Sequence, residues 1–356
     1  MKILAGLSHK NLAQSLAKEL NCQYIEAYTT TFDDSELRVQ ILEDINGCEV
    51  VIVQSTCRPV NNHLMELLLL VDTVKRAGAK SITAVIPYFG YSRQDRRPYI
   101  FAPVAARLVA NMLEAAGVQR VITVDLHSQQ LEGFFNIEVQ NLNPISLFIP
   151  LINNYNNRAL SELVYKEPTE ATYKLSSQIE LCKEANTIVN SGEFGARIDG
   201  ATPIYNSQAL SNDVTNFSSI AYIIVSPDIG GIARARAMSK LCNMEIAVIN
   251  KSRTVNNEYH MSGILGNVEK KHCILIDDIV DSGQTICKGA KLLMECGALS
   301  VDAFITHPVL SRSSQAAIEN SNITNIYITD TIAVANLSSK FQVVSIVSLL
   351  VTALKK

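Results

Sequence analysis

No two of the eight cysteines stand at C-x-x-C spacing, and none sits with histidines at the spacing of a zinc finger. Cys22, Cys48, Cys57, Cys182, Cys242, Cys273, Cys287 and Cys296 therefore read as reduced thiols, which predicts a cytoplasmic protein. Blocks of like charge are missing too. The formal net charge is -3 and the pI near 6.1, so a general nucleic-acid or anionic-membrane surface is excluded and any anionic ligand needs a local site. Apolar runs long enough to span a bilayer are absent: the most apolar stretch, LMELLLLVDTV, is interrupted by Glu66 and Asp72. The opening residues MKILAGLSHKNLAQ lack the long apolar stretch of a signal peptide.

What is present is a strand and helix alternation. With 356 residues, 47% of them hydrophobic, the chain is long enough for two domains with real cores. EVVIVQS, SITAVIP, RVITVDL, AYIIVSP, EIAVIN, HCILIDD, VDAFITH and NIYITD are short and continuously apolar, as strands buried on both faces are. Between them HLMELLLLVDTVKRA, APVAARLVANMLEAA, IARARAMSKLC and TICKGAKLLMEC carry helical periodicity. This order predicts α/β architecture with mostly parallel sheets flanked by helices. A helix closing on a small residue and Gly before a strand recurs at Gly78, Gly117 and Gly297. Either it is the ordinary turn of α/β proteins or it marks an internal duplication. Residues 151–219 are rich in Asn and Ser, with one possible helix at 172–185, and read as an insertion or linker between domains at 1–150 and 220–340. The final segment, 341–356, contains VVSIVSLLVTALKK and reads as a helix returning to the first domain.

The stretch CILIDDIVDSGQT, residues 273–285, carries the most chemistry. An apolar strand runs into Asp277 and Asp278, and then a Ser/Gly/Thr turn opens a helix. Backbone N–H groups at such a helix start cradle a phosphate. Two carboxylates beside it are costly to bury unless a cation or ribose hydroxyls face them, and Mg²⁺ would serve.

ILIDDIVDSGQT resembles the ribose-phosphate-binding motif shared by type I phosphoribosyltransferases and ribose-phosphate pyrophosphokinases, and on its own it does not choose between them. FDDSELRVQI (32–41), PVNNHLMELLLLVDTVKRAGAKSI (59–82), VIPYFGYSRQDRR (85–97), VITVDLHSQQLEGFFNIEVQNL (121–142), IIVSPDIGGIARAR (223–236) and INKSR (249–253) resemble the pyrophosphokinase family in the same order. That resemblance implies two phosphoribosyltransferase-like domains, the first on the ATP side and the second on the ribose 5-phosphate side. It implies transfer of a diphosphoryl group from Mg-ATP to the C1 hydroxyl of ribose 5-phosphate, for nucleotide biosynthesis. Other readings are a phosphoribosyltransferase or a non-catalytic subunit related to the synthetase.

By resemblance, His127 and Asp228 are Mg²⁺ ligands, with Asp125 supporting them. A lone His at a strand end is otherwise more often structural. Lys251 and Arg253 stabilise the transferring phosphoryl group, Arg253 also reaching ribose 5-phosphate. Arg93, Gln94 and Asp95 contact ATP, together with Phe32, Asp33, Asp34 and Glu36 of a neighbouring subunit. Asp277, Asp278, Asp281, Ser282, Gly283, Gln284 and Thr285 hold ribose 5-phosphate. Shared sites imply self-association, as a homohexamer. The chain departs from the family at Ser35 and Gln284, where Gly is usual, and in RRPYIFAPV, which has few cations beyond Arg96 and Arg97.

Overall fold

The computed structural model describes residues 1–153, 221–253, 259–311 and 313–355, except the side chains of 251–253 and 259–262. The expected insertion at 151–219, with its helix at 172–185, lies outside the described residues apart from 151–153. Residues 1–149 and 222–356 cluster as one unit.

Among the described residues, eight strands precede residue 143: β1 (Lys2–Ala5), β2 (Gln23–Tyr24), β3 (Ala27–Thr31), β4 (Leu37–Ile41), β5 (Glu49–Val53), β6 (Ser81–Ile86), β7 (Arg120–Val124) and β8 (Glu138–Leu142). Six form a parallel sheet in the order β2-β1-β5-β6-β7-β8, while β3 and β4 make a separate antiparallel hairpin. Both faces of the sheet are covered. Helix α1 (Lys10–Glu19) buries Leu12 and Leu16 on one side, and α2 (Val60–Arg76) and α3 (Ala105–Ala116) bury Leu67, Leu70, Val109 and Leu113 on the other. This is why Val50, Val51, Ile52 and Val53 are all apolar: a strand with no solvent face has no place for alternation.

The second sheet orders β11 (Tyr259–Leu265), β10 (Glu245–Arg253), β9 (Ala221–Ser226), β12 (Lys271–Val280), β13 (Ser300–Pro308), β14 (Ile323–Thr329) and β15 (Phe341–Val344). β10 and β11 are antiparallel, whereas β9–β10, β12–β13, β13–β14 and β14–β15 are parallel. Helices α4 (Ile232–Cys242), α5 (Gln284–Glu295), α6 (Ser314–Glu319) and α7 (Val347–Leu354) complete the fold. The helix expected over 341–356 is shorter, because β-branched Val343 and Val344 pair with Ile328 and Thr329 and extend the sheet. Ile346, Leu350 and Ala353 of the last segment pack with α1.

Strand order reverses between β9 and β12. Their connections leave in opposite directions there, which opens a crevice at the carboxyl ends of the strands. Among the described residues no helix is long and apolar enough to cross a membrane.

Candidate active site

Asp277 and Asp278 sit near the end of β12, and both line one cavity. Asp278 is only 6% exposed. His127, just past β7, donates from Nδ1 to Asp278 Oδ2 at 2.7 Å, and the Asp278 N–H donates to Asp277 Oδ1 at 3.0 Å. The cation beside the pair is Arg234 of α4. Its Nη2 lies 3.0 Å from Asp125 Oδ1, and its Nη1 lies 3.7 Å from Asp278 Oδ1 and 4.0 Å from Asp277 Oδ1.

The titration directions follow from this packing. Burial and the charge of Asp278 push Asp277 well above the usual carboxylate range. Burial acts the same way on Asp278, but the His127 hydrogen bond and the Arg234 charge outweigh it and hold that group below the range. His127 is raised by its bond to Asp278, against the opposing effect of burial. Burial would lower Arg234, yet Asp125 and Asp278 keep it raised.

Beyond the acid pair the chain turns through Asp281 and Ser282 to Gly283, which caps α5 at φ +76° with no side-chain cap. The first N–H groups of α5 therefore have no partner within the helix and point to where an anion would sit. Gly283 is buried, and a Cβ there would lie 3.2 Å from Ile318 Cγ1. From the β6–α3 connection, Arg93 reaches Asp281 at 3.0 Å. Asp95 on the same connection accepts from Ser128 Oγ at 2.7 Å and Gln130 Nε2 at 2.9 Å, tying it to the segment after His127.

A single cavity of about 640 Å³ gathers Arg93, Asp95, His127, Asp228, Asp277, Asp278, Asp281, Ser282, Gly283 and Thr285. Gln94 and Gln284 do not line it; Gln284 is the first residue of α5. Phe32, Asp33, Asp34 and Glu36 form the β3–β4 turn, away from this lining. In that turn Phe32 N–H donates to Glu36 O at 2.8 Å, and Ser35 takes φ +77°, the left-handed conformation that Gly adopts without strain. Lys251 and Arg253 end β10, in register with Met261 and Tyr259; their side chains lie outside the described residues.

The sequence reading passed over Arg234, Arg96, Ser128 and Gln130, all of which line the cavity. Arg234 carried a signal: it is the third residue of its helix, where the dipole disfavours a cation unless acids face it.

Five carboxylates (Asp95, Asp228, Asp277, Asp278, Asp281) and three guanidinium groups (Arg93, Arg96, Arg234) line the cavity, so an anionic ligand would enter with added positive charge. Among the described residues no three His, Cys, Asp or Glu side chains group closely enough to hold a metal ion. This donor set fits Mg²⁺, which keeps several waters and takes one or two protein ligands plus phosphate oxygens.

Residues 1–117 match the family described as the N-terminal domain of ribose phosphate pyrophosphokinase, and residues 252–356 match the phosphoribosyl synthetase-associated domain. The chain is 37% identical to the ribose-phosphate pyrophosphokinase of Ralstonia nicotianae, over 93% of this chain and 86% of that protein. It is 36% identical to the corresponding enzyme of Chromobacterium violaceum, over 100% of this chain and 91% of that one. The fold is similar to a crystal structure of phosphoribosylpyrophosphate synthetase from Mycobacterium smegmatis, with a TM-score of 0.78, 28% identity, and coverage of 99% and 97% of the two chains.

Proposed function

Because this chain belongs to the ribose-phosphate pyrophosphokinase family, we propose that it transfers the β,γ-diphosphoryl group of Mg-ATP to the C1 hydroxyl of D-ribose 5-phosphate, as a cytoplasmic enzyme of nucleotide biosynthesis. The ribose oxygen attacks the β-phosphorus, the bond from that phosphorus to the α,β-bridging oxygen breaks, and AMP leaves with that oxygen. The hydroxyl proton passes to solvent, and the second product is 5-phospho-α-D-ribose 1-diphosphate.

The observation that carries this reading is the meeting of an acid pair, a Gly-capped helix start and His127 around one cavity. The nucleophile belongs to the substrate, so the protein has mainly to position two anions and neutralise charge. The N–H groups that open α5, with Ser282, Gly283 and Thr285, hold the 5-phosphate. Asp277, Asp278 and Asp281 accept from ribose hydroxyls. Arg93, Gln94 and Asp95 address ATP, and Lys251 and Arg253 stabilise the phosphoryl oxygens. Mg²⁺ bound by His127 and Asp228 would draw negative charge off the diphosphoryl group. With Nδ1 engaged by Asp278, the His127 ring has Nε2 for the metal.

Phe32 is 52% exposed and its turn does not line its own chain's cavity, which leaves Phe32, Asp33, Asp34 and Glu36 available to a neighbouring copy. We therefore include a homohexamer in the proposal. The test is purified chain with Mg-ATP and ribose 5-phosphate, followed for AMP and the diphosphorylated sugar. Stoichiometric formation of both is expected. No turnover by folded protein overturns the reading.

A further inference from the structure

Asp125, the residue after β7, takes φ +45°, a left-handed conformation that costs a side-chain-bearing residue about 1–2 kcal/mol. Strain of this kind persists only where the surroundings impose it. Its N–H donates to Leu142 O of its own sheet at 2.9 Å, while its side chain and carbonyl are held from the other half of the molecule. Arg234 Nη2 of α4 holds Asp125 Oδ1 at 3.0 Å, Thr306 Oγ1 of β13 donates to Oδ2 at 2.5 Å, and His307 Nε2 donates to the Asp125 carbonyl at 3.2 Å. Thr306 and His307 are 1% and 2% exposed, so these grips are dry.

Two residues beyond Asp125, His127 reaches back to Asp278, and Asp278 faces the other terminal nitrogen of Arg234. Asp125, His127, Asp278 and Arg234 thus close a ring that crosses between the halves twice. Charge-assisted contacts that cross at two places fix relative position better than a single one, because the halves cannot shift without disturbing both.

We propose that Arg234, from the cavity wall, and Asp125, outside its lining, are positioning residues that lock the ribose-facing aspartates in register with His127. The proposal rests on the reading above and deepens it. The acid pair belongs to ribose 5-phosphate and the β6–α3 connection to ATP, so loosening the ring harms the two substrates unequally.

The experiment compares wild type with Asp125→Asn, Thr306→Val, Arg234→Lys and the double variant Asp125→Asn/Arg234→Lys. Arg236→Ala, two residues along on the exposed face of α4, is the control. Asp125→Asn and Arg234→Lys are each expected to raise KM for ribose 5-phosphate tenfold or more, and Thr306→Val, which removes a support of Asp125 outside the ring, by less, with KM for ATP changed less than threefold in all three. The double variant should be no worse than the worse single one, since the ring breaks once. Equal rises in both KM values, or full additivity in the double variant, overturn the proposal. Ribose 5-phosphate binding measured by calorimetry gives a second readout without turnover. Silence of the wild type in the assay would refute the function while the calorimetric comparison still judged the ring. If Arg234→Lys does not fold, the two milder variants decide.

Discussion

Gly283→Ala puts the phosphate cradle under a defined load. The residue sits at φ +76°, where an alanine pays about 1–2 kcal/mol that glycine does not. The new methyl would also stand 3.2 Å from Ile318 Cγ1, 3.5 Å from Ile318 Cδ1 and 3.6 Å from Ser314 O. Ile318 is 0% exposed and has no room to swing aside. Two responses are open to the chain. It can keep the turn and carry the strain, or relax the turn and surrender the bond from Cys287 N–H to Gly283 O, at 3.0 Å, that starts α5. Tight packing on one side and a weak helix start on the other favour relaxation, which moves Ser282 and Thr285 off the cavity wall. We expect stability to fall by about 2 kcal/mol and KM for ribose 5-phosphate to rise roughly tenfold, the factor that about 1.4 kcal/mol of lost binding produces. KM for ATP should stay within threefold. Denaturant unfolding and initial rates against each substrate measure these quantities. A variant with wild-type stability and wild-type KM for ribose 5-phosphate would refute the claim that the left-handed turn builds the cradle.

Two further outcomes test other parts of the molecule. Lys251→Ala should lower kcat far more than it raises KM, because the contact proposed for it strengthens in the transition state; an unchanged kcat removes Lys251 from the mechanism. His307 is held neutral: burial lowers its pKa from 6.5 against the opposing pull of Asp125 and Asp278, Arg234 lowers it further, and Tyr88 packs edge-on at 5.1 Å. Its stabilising contribution is therefore complete above the unfolded-state pKa and is lost as pH falls from about 6.5 towards the depressed folded value, at about 1.4 kcal/mol per pH unit. His307→Gln, which keeps a donor and an acceptor but does not titrate, should flatten that part of the stability curve; parallel curves for variant and wild type would defeat the argument.

The eight apolar runs were legible as strands because burial on both faces removes alternation, and all eight are strands in the structure. The strands missed were those with a wet edge or little length. β1 has four residues and β2 two, β3 and β4 stand apart from the main sheets, and β8, β11 and β15 lie at sheet edges, where mixed composition hides the pattern. VVSIVS illustrates the ambiguity of a short apolar run: neighbouring β14 makes its first part a strand, and nothing local specifies that. The strand, Gly turn and helix start at 271–295 were legible because they are contiguous. Arg234 was not, because its meaning comes from Asp125, 109 positions away, and from an acid pair on another strand.

That acid pair is also where structure changes the question posed by sequence. Asp277 and Asp278 call for compensation, and from sequence the candidates were a metal cation and the hydroxyls of a ribose. The protein supplies its own in Arg234, with His127 as second partner, so the pair is tolerable before any ligand arrives. Each half alone would leave an exposed imbalance: the first a lone Asp125 carboxylate, the second a guanidinium with its best partner missing. Buried ion pairs of this kind add little net stability, since desolvation offsets the attraction, but they penalise every arrangement in which a partner is absent. The contacts around the acid pair therefore disfavour dockings of the halves in which His127 and Asp278 do not meet.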